Sequence, residues 1–393
     1  MPHQRTDLKQ IFKIIAISSG GLILAGLIAF IPYLSLPHYS DFSVMYFTVK
    51  SLLHGISIYD YPAQLIYIKT LVPNNFEFLP YPYPPWYAFS TLFLGLLPIQ
   101  AAANFWFLMN LAMISLASWL VTPGWSIPRR IIGNLAAVLY LPSLGLLIVG
   151  QYAAPVLLGA ALFVFGARNK NSFWLAAGLI LMTFKPHIGG FLFVGASLWL
   201  LWEKSSSSRK AFRWTVIGLV LLVLFGFFAD PSWPVSYLKS LNGYRTLPGV
   251  QSCGLCASLS VSVIKTLTGK GDTQQAVLIG MGLLIAIVWL LLSKFQNALK
   301  DPFVLICLLA TVTLLVDPYL LNYDYVLMIL PIIWLATRSR MVVILYFLPI
   351  ILLFTGRASN FVLPLGATVI FILILINSLT ISPVSHKITS TIE

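Results

Sequence analysis

Long stretches of this chain carry no polar side chain at all, and that feature constrains its fold more than any other. Ala276 to Leu292 is apolar through seventeen consecutive positions. Further apolar runs lie at roughly 11–31, 85–121, 131–149, 152–167, 173–185, 187–202, 213–229, 302–316, 319–336, 341–356 and 359–379. Strands of a membrane barrel alternate apolar and polar positions, so these runs are helices, whose backbone groups pair internally in lipid. At about 20 residues per crossing, the expected architecture is an all-α polytopic membrane protein of about 12 transmembrane helices. Composition agrees, with 59% hydrophobic and only 9% charged residues, where a soluble domain carries roughly a quarter charged.

The formal charge of +13 would suit a polyanion partner if it were clustered, but the cations sit in short loops between apolar runs. Nucleic-acid binding is therefore not expected. With both termini inside, 16 of the 24 Lys and Arg residues fall on the cytoplasmic side and seven of the 11 acids fall outside, which is the positive-inside pattern. The first run, Ile11 to Ile31, follows Arg5, Lys9 and Lys13 and lacks a small-residue cleavage site, so it is read as an uncleaved span. A long outer loop follows over residues 32–84, and a second over 230–275. The expected domain is a single membrane unit over 1–381 with a polar cytoplasmic tail at 382–393. Pro98 is where the long 85–121 run would break, and 173–185 is short for a full crossing.

Polar residues set among these runs are the candidates for chemistry. Asp41 opens the first outer loop, where a part-buried carboxylate can take a proton from a hydroxyl; capping of a helix from Phe42 by Ser40 or Asp41 is the alternative. The string FLPYPYPPWYAF, with Tyr81 and Tyr83, is proline-stiffened and reads either as a sugar platform or as an interfacial aromatic belt. Gly150-Gln151 interrupts two apolar runs, so its amide either binds a polar ligand or satisfies the broken helix. Lys185-Pro186-His187 puts a cation between apolar runs, where it either snorkels or meets a partner such as a phosphate. Asp317 with Pro318 suits a helix cap, whereas Asp324 beside Tyr323 sits deeper and suits a cavity. Arg245 and Arg357 are outer cations able to meet phosphate. Cys253 and Cys256 could pair, but three cysteines do not make a paired zinc site, and no acidic cluster supplies ligands for a metal.

In this order the pieces resemble the membrane glycosyltransferases of family 87, within the GT-C superfamily. The carriers are Asp41 followed by LLHGISIY (Leu52 to Tyr59), YPYPP, Gly150-Gln151, Lys185-Pro186 and Tyr323-Asp324. The resemblance implies a sugar carried on a polyprenyl phosphate and a glycan or glycolipid acceptor outside the cytoplasm, in the inner (plasma) membrane, with no cofactor. It implies Asp41 as general base and Lys185 near the donor phosphate; Arg245 and Arg357, as outer cations, are the further phosphate ligands expected beside it. Tyr81, Tyr83, Gln151, His187, Tyr323 and Asp324 are the expected substrate contacts. Some members use a histidine near the Tyr-Asp motif, and this chain has none there. Two other classes compete: a secondary transporter or lipid flippase, which would place a midplane site between matched halves, and a non-catalytic assembly subunit.

Overall fold

The computed structural model describes residues 41–72, 78–245, 247, 256–269, 272–351 and 359–379. Ile11 to Ile31, Cys253, Arg357, the side chain of Arg245 and the 382–393 tail lie outside the described residues. The regular structure among the described residues is helical, with no strand. In chain order the helices are α1 (Asp41–Leu53), α2 (Tyr61–Lys69), α3 (Pro85–Ser90), α4 (Ile99–Val121), α5 (Ile127–Leu139), α6 (Leu141–Val149), α7 (Ala154–Arg168), α8 (Ser172–Met182) and α9 (Pro186–Glu203). They continue as α10 (Ser206–Ala229), α11 (Trp233–Arg245), α12 (Leu259–Thr268), α13 (Thr273–Lys294), α14 (Pro302–Val316), α15 (Ile329–Leu335), α16 (Met341–Phe347) and α17 (Ser359–Leu379). A 3-10 turn, Asn322–Met328, leads directly into α15.

Four helices are long and apolar enough to cross a bilayer: Ile99–Val121, Ser206–Ala229, Gln274–Lys294 and Phe361–Leu379. α5 and α6 make a fifth if the pair, bent by 56°, is one span. Helix length among the described residues therefore yields four or five spans, fewer than the apolar runs suggest. The physical reason is breakage. Pro98 separates α4 from the short elements before it, Tyr140 bends α5 against α6, and α8 has only 11 residues, about 16 Å at 1.5 Å per residue. The outer faces of α10 and α13 are exposed and apolar, with Phe228 and Trp289 among the most exposed side chains, as lipid contact requires. α14, by contrast, is buried along almost its whole length and packs against α9 and α17.

The α7–α8 hairpin is the tightest contact in the bundle, and glycines make it so. A Cβ at Gly159 would lie 2.7 Å from the Gly178 carbonyl, and one at Gly178 would lie 2.6 Å from the Gly159 carbonyl. Small residues that let backbones touch are the usual means of helix association in lipid. Because the hairpin is antiparallel, the residues just before α7 and just after α8 emerge at the same end. α8 and α9 are pressed together at Gly189, where a Cβ would sit 1.8 Å from the Met182 carbonyl oxygen. Gly189→Ala is accordingly expected to destabilise the protein by about 1–3 kcal/mol, whereas Gly190→Ala, with open space around its Cβ, should be neutral. Thermal unfolding of the two variants in detergent checks this; equal melting temperatures would refute the packing argument.

Arginines gather at the far end of these helices. Arg130 donates to the Trp119 carbonyl at 2.7 Å and lies over that indole at 3.7 Å. Arg168 donates to the Val121 carbonyl and Arg338 to the Trp334 carbonyl. Each guanidinium meets carbonyls at a helix C-terminus, which leaves them otherwise unpaired and partly negative. α7 carries Arg168 at its C-terminal end and Gln151 just ahead of its N-terminal end, so the arginine end and the polar cavity described next are opposite.

Candidate active site

Four breaks in helical structure converge at that other end. Gly150, at φ +68°, ends α6 in the left-handed conformation glycine tolerates, and Gln151 follows it. Pro186 starts α9, which leaves Lys185 as the residue before the first turn. Tyr323 and Asp324 lie in the 3-10 turn before α15, and Asp41 opens α1. Helix ends are where polar side chains enter a membrane protein's interior with their backbone groups still paired.

These residues line one cavity of about 420 Å³. Asp41, Gln151, Lys185, His187, Tyr323 and Asp324 form its polar side, and Val44, Leu79, Pro80, Pro82, Leu247 and Leu321 form an apolar one. Tyr83, Tyr152, Tyr244 and Tyr319 complete the lining.

The polar groups form one network. Gln151 Nε2 donates to Asp41 Oδ2 at 2.9 Å and to the Tyr323 hydroxyl at 2.7 Å. Its Oε1 accepts from Lys185 Nζ at 3.2 Å and from the Tyr152 amide at 2.7 Å. Lys185 donates to Asp324 Oδ1, and both partners are 1% exposed. The second Asp324 oxygen accepts from the Leu321 amide at 3.1 Å and lies 3.9 Å from His187 Nε2. Lysine has three N–H donors; two are directed at Asp324 and Gln151, and the ammonium also faces the Tyr323 ring at 5.0 Å. Burial pushes the Asp41 carboxyl above the ordinary carboxylate range, against Lys185 and the hydrogen bonds from Gln151 and Tyr323, which pull it down.

Several sequence readings change here. Lys185 does not snorkel; its ammonium is buried and paired. Tyr81 and Tyr83 are not an interfacial belt, since both are buried. Tyr83 lines the cavity, its ring edge-on to Tyr152 at 4.8 Å, while Tyr81 stands behind it at 5.5 Å and does not reach the lining. Asp317 caps no helix start. It ends α14 and accepts from the Tyr319 amide at 2.8 Å, because the next helical turn begins only at Asn322 and Asp324 takes the capping role. His187, sequentially remote from the Tyr-Asp motif, is brought beside it in space. Cys256 is disulfide-bonded and Cys307 is a buried free thiol.

Three tyrosines escaped the sequence reading. The Tyr152 hydroxyl donates to the Asp41 carbonyl and accepts from the Met45 amide at 3.0 Å, the two groups that close the first turn of a helix. Tyr244 and Tyr319 join hydroxyls at 2.9 Å, and Tyr319 meets the His187 ring edge-on at 6.0 Å. Only the adjacency of Tyr152 to Gln151 was a signal; the others come from unrelated segments. Among the described residues no group of three or more His, Cys, Asp or Glu is arranged to hold a metal ion.

A family model, Glycosyltransferase family 87, matches residues 81–318. The chain belongs to glycosyltransferase family 87. The matched region holds Tyr81, Tyr83, Gln151, Lys185, His187 and Arg245, and it leaves Asp41 on one side and Tyr323, Asp324 and Arg357 on the other. No curated protein and no solved structure matches the chain. As a family 87 member with several membrane-crossing helices, it is a membrane glycosyltransferase, and the transporter or flippase reading gives way.

Proposed function

We propose that this enzyme moves a sugar from a polyprenyl-phosphate donor to a glycan or glycolipid acceptor on the extracytoplasmic face of the inner membrane, with inversion at the anomeric carbon. The single observation that carries the proposal is the shared cavity, in which a carboxylate and an ammonium, 144 positions apart in sequence, meet the two ends of one amide. Asp41 takes the acceptor hydroxyl proton as the acceptor oxygen bonds to the anomeric carbon. The bond from that carbon to the phosphate oxygen breaks, and its electron pair leaves with the polyprenyl phosphate. Lys185 stabilises the growing charge on the phosphate, with Arg245 and Arg357 as further candidate ligands. The tyrosines and His187 face the sugar, and the apolar side of the cavity suits the first isoprenes. The positive-inside rule supports reading the arginine end of the bundle as the cytoplasmic side and the cavity as facing outside. The short broken helices fit a GT-C-type bundle in which some of about 12 crossings are made in two pieces, all within one membrane domain over 1–381.

The test is purified full-length protein given polyprenyl-phosphate sugars and a panel of glycolipid acceptors, with release of polyprenyl phosphate and glycosylated product as readouts. Consumption of a nucleotide sugar instead, or of no lipid-linked sugar at all, rejects the donor assignment. A pH prediction accompanies it. Asp41 must be ionised to act, and burial raises its carboxyl, so kcat/KM should fall as pH drops through a value above the ordinary ~3.9 of aspartate. An acid limb at or below that value would exclude Asp41 as the base.

A further inference from the structure

Gln151 is 3% exposed, and its amide is fully used. A carboxamide has two N–H donors and two acceptor positions; here the donors go to Asp41 and Tyr323 and the acceptor positions to Lys185 and the Tyr152 amide. Turning the amide over would set its NH2 against an ammonium and a backbone N–H, and its oxygen against a carboxylate. Only one orientation is possible, and it leaves no hydrogen-bonding capacity for a sugar. Gln151 is therefore not the substrate contact its position in the sequence suggested.

We infer that Gln151 is a positioning residue: a neutral spacer that keeps Asp41 and Lys185 from closing on each other as an ion pair. The inference rests on the reading of Asp41 as base and Lys185 as phosphate ligand. A direct pair would weaken the base, because an aspartate salt-bridged to lysine holds a proton less well, and it would set a second carboxylate on a lysine already paired with Asp324. The amide avoids this while turning its negative end to the cation and its positive end to the anion. Lysine's four-carbon stem is flexible enough to swing, and among the described residues Lys185 is otherwise held by Asp324 and the face of the Tyr323 ring. Among the described residues the other groups around Asp41 are Asp324 and Tyr323 from the 3-10 turn, Tyr152 ahead of α7, and Tyr83. Tyr244 at the end of α11 and Tyr319 after α14 complete the set. None of these is a cation, so Lys185 is the cation that removal of the spacer would release towards Asp41.

The test follows the titration of Asp41 itself, by infrared difference spectra of its carboxyl band against Asp41→Asn, on full-length protein in lipid nanodiscs without substrate. That readout stands whether or not the donor is a polyprenyl-phosphate sugar, so failure of the inference is distinguishable from failure of the functional reading, which the transfer assay tests. With Gln151→Ala the spacer is gone, and the Asp41 titration should move down by about one pH unit or more, as Lys185, which already pulls on Asp41 across the amide, closes to ~4–6 Å. If Gln151 were only a hydrogen-bond donor, the same variant would move it up, and if its role were only to satisfy the broken helix, the titration would stay put; either result overturns the inference. Gln151→Glu is the second variant, since it keeps the acceptor for Lys185 and the Tyr152 amide but opposes Asp41 with a second carboxylate. It should move the Asp41 titration up, and an unmoved titration there would count equally against the spacer. Should the alanine variant fail to fold, Gln151→Ser, which also vacates the spacer's volume, carries the same expectation of a downward move, and an upward or unmoved titration there overturns the inference.

Discussion

Asp41→Asn is expected to lower sugar transfer by about 10²–10⁴-fold, the range a positioned general base contributes, with little change in melting temperature. The asparagine keeps the shape and can still receive the Gln151 Nε2 hydrogen bond on its carbonyl oxygen, and the backbone carbonyl that binds Tyr152 is untouched. What it lacks is the capacity to hold the acceptor's proton. The split between kcat and KM is informative, since loss confined to the chemical step should leave the donor KM close to native. Transfer at the native rate would show that the base lies elsewhere.

Lys185→Met is expected to be damaging twice over. Removing the ammonium leaves Asp324 buried with its counter-charge gone, and breaking a buried pair from one side costs about 3–5 kcal/mol. The variant should therefore show both a lowered melting temperature and lost donor capture. Adding Asp324→Asn removes the stranded charge, so the double variant should regain most of the stability while remaining inactive. If the double variant instead regained transfer, Lys185 would be a structural partner of Asp324 and the phosphate role would be withdrawn. The order of effects separates a lysine that holds the fold from one that also serves the donor.

Much of this site was legible in the chain because membrane interiors make polar residues conspicuous. Asp41, Gln151, Lys185, Tyr323 and Asp324 each interrupt or border an apolar run, and all five line one cavity. Their mutual arrangement was not legible. Nothing in the spacing says that Lys185 spends its charge on Asp324, or that Gln151 is consumed by its neighbours, because those facts depend on which helix ends meet. The number of crossings was not legible for a related reason. Apolar composition marks residues removed from water without distinguishing lipid from the interior of a bundle, and α14, with 15 residues, is enclosed by protein rather than long enough to span. Asp317 was misassigned because a proline after an aspartate suits a helix start and a turn alike, and only the three-residue delay to Asn322 decides between them.

The glycine contact between α7 and α8 makes that hairpin a stiff calliper. Its two tips precede and follow the pair, at Gln151 and Lys185, so the gap between amide and ammonium is gauged by backbone touching backbone. A thicker or thinner bilayer would tilt such a calliper without opening it. Acyl-chain length in reconstituted vesicles should then alter how readily the lipid-borne donor arrives while leaving the chemical step unchanged.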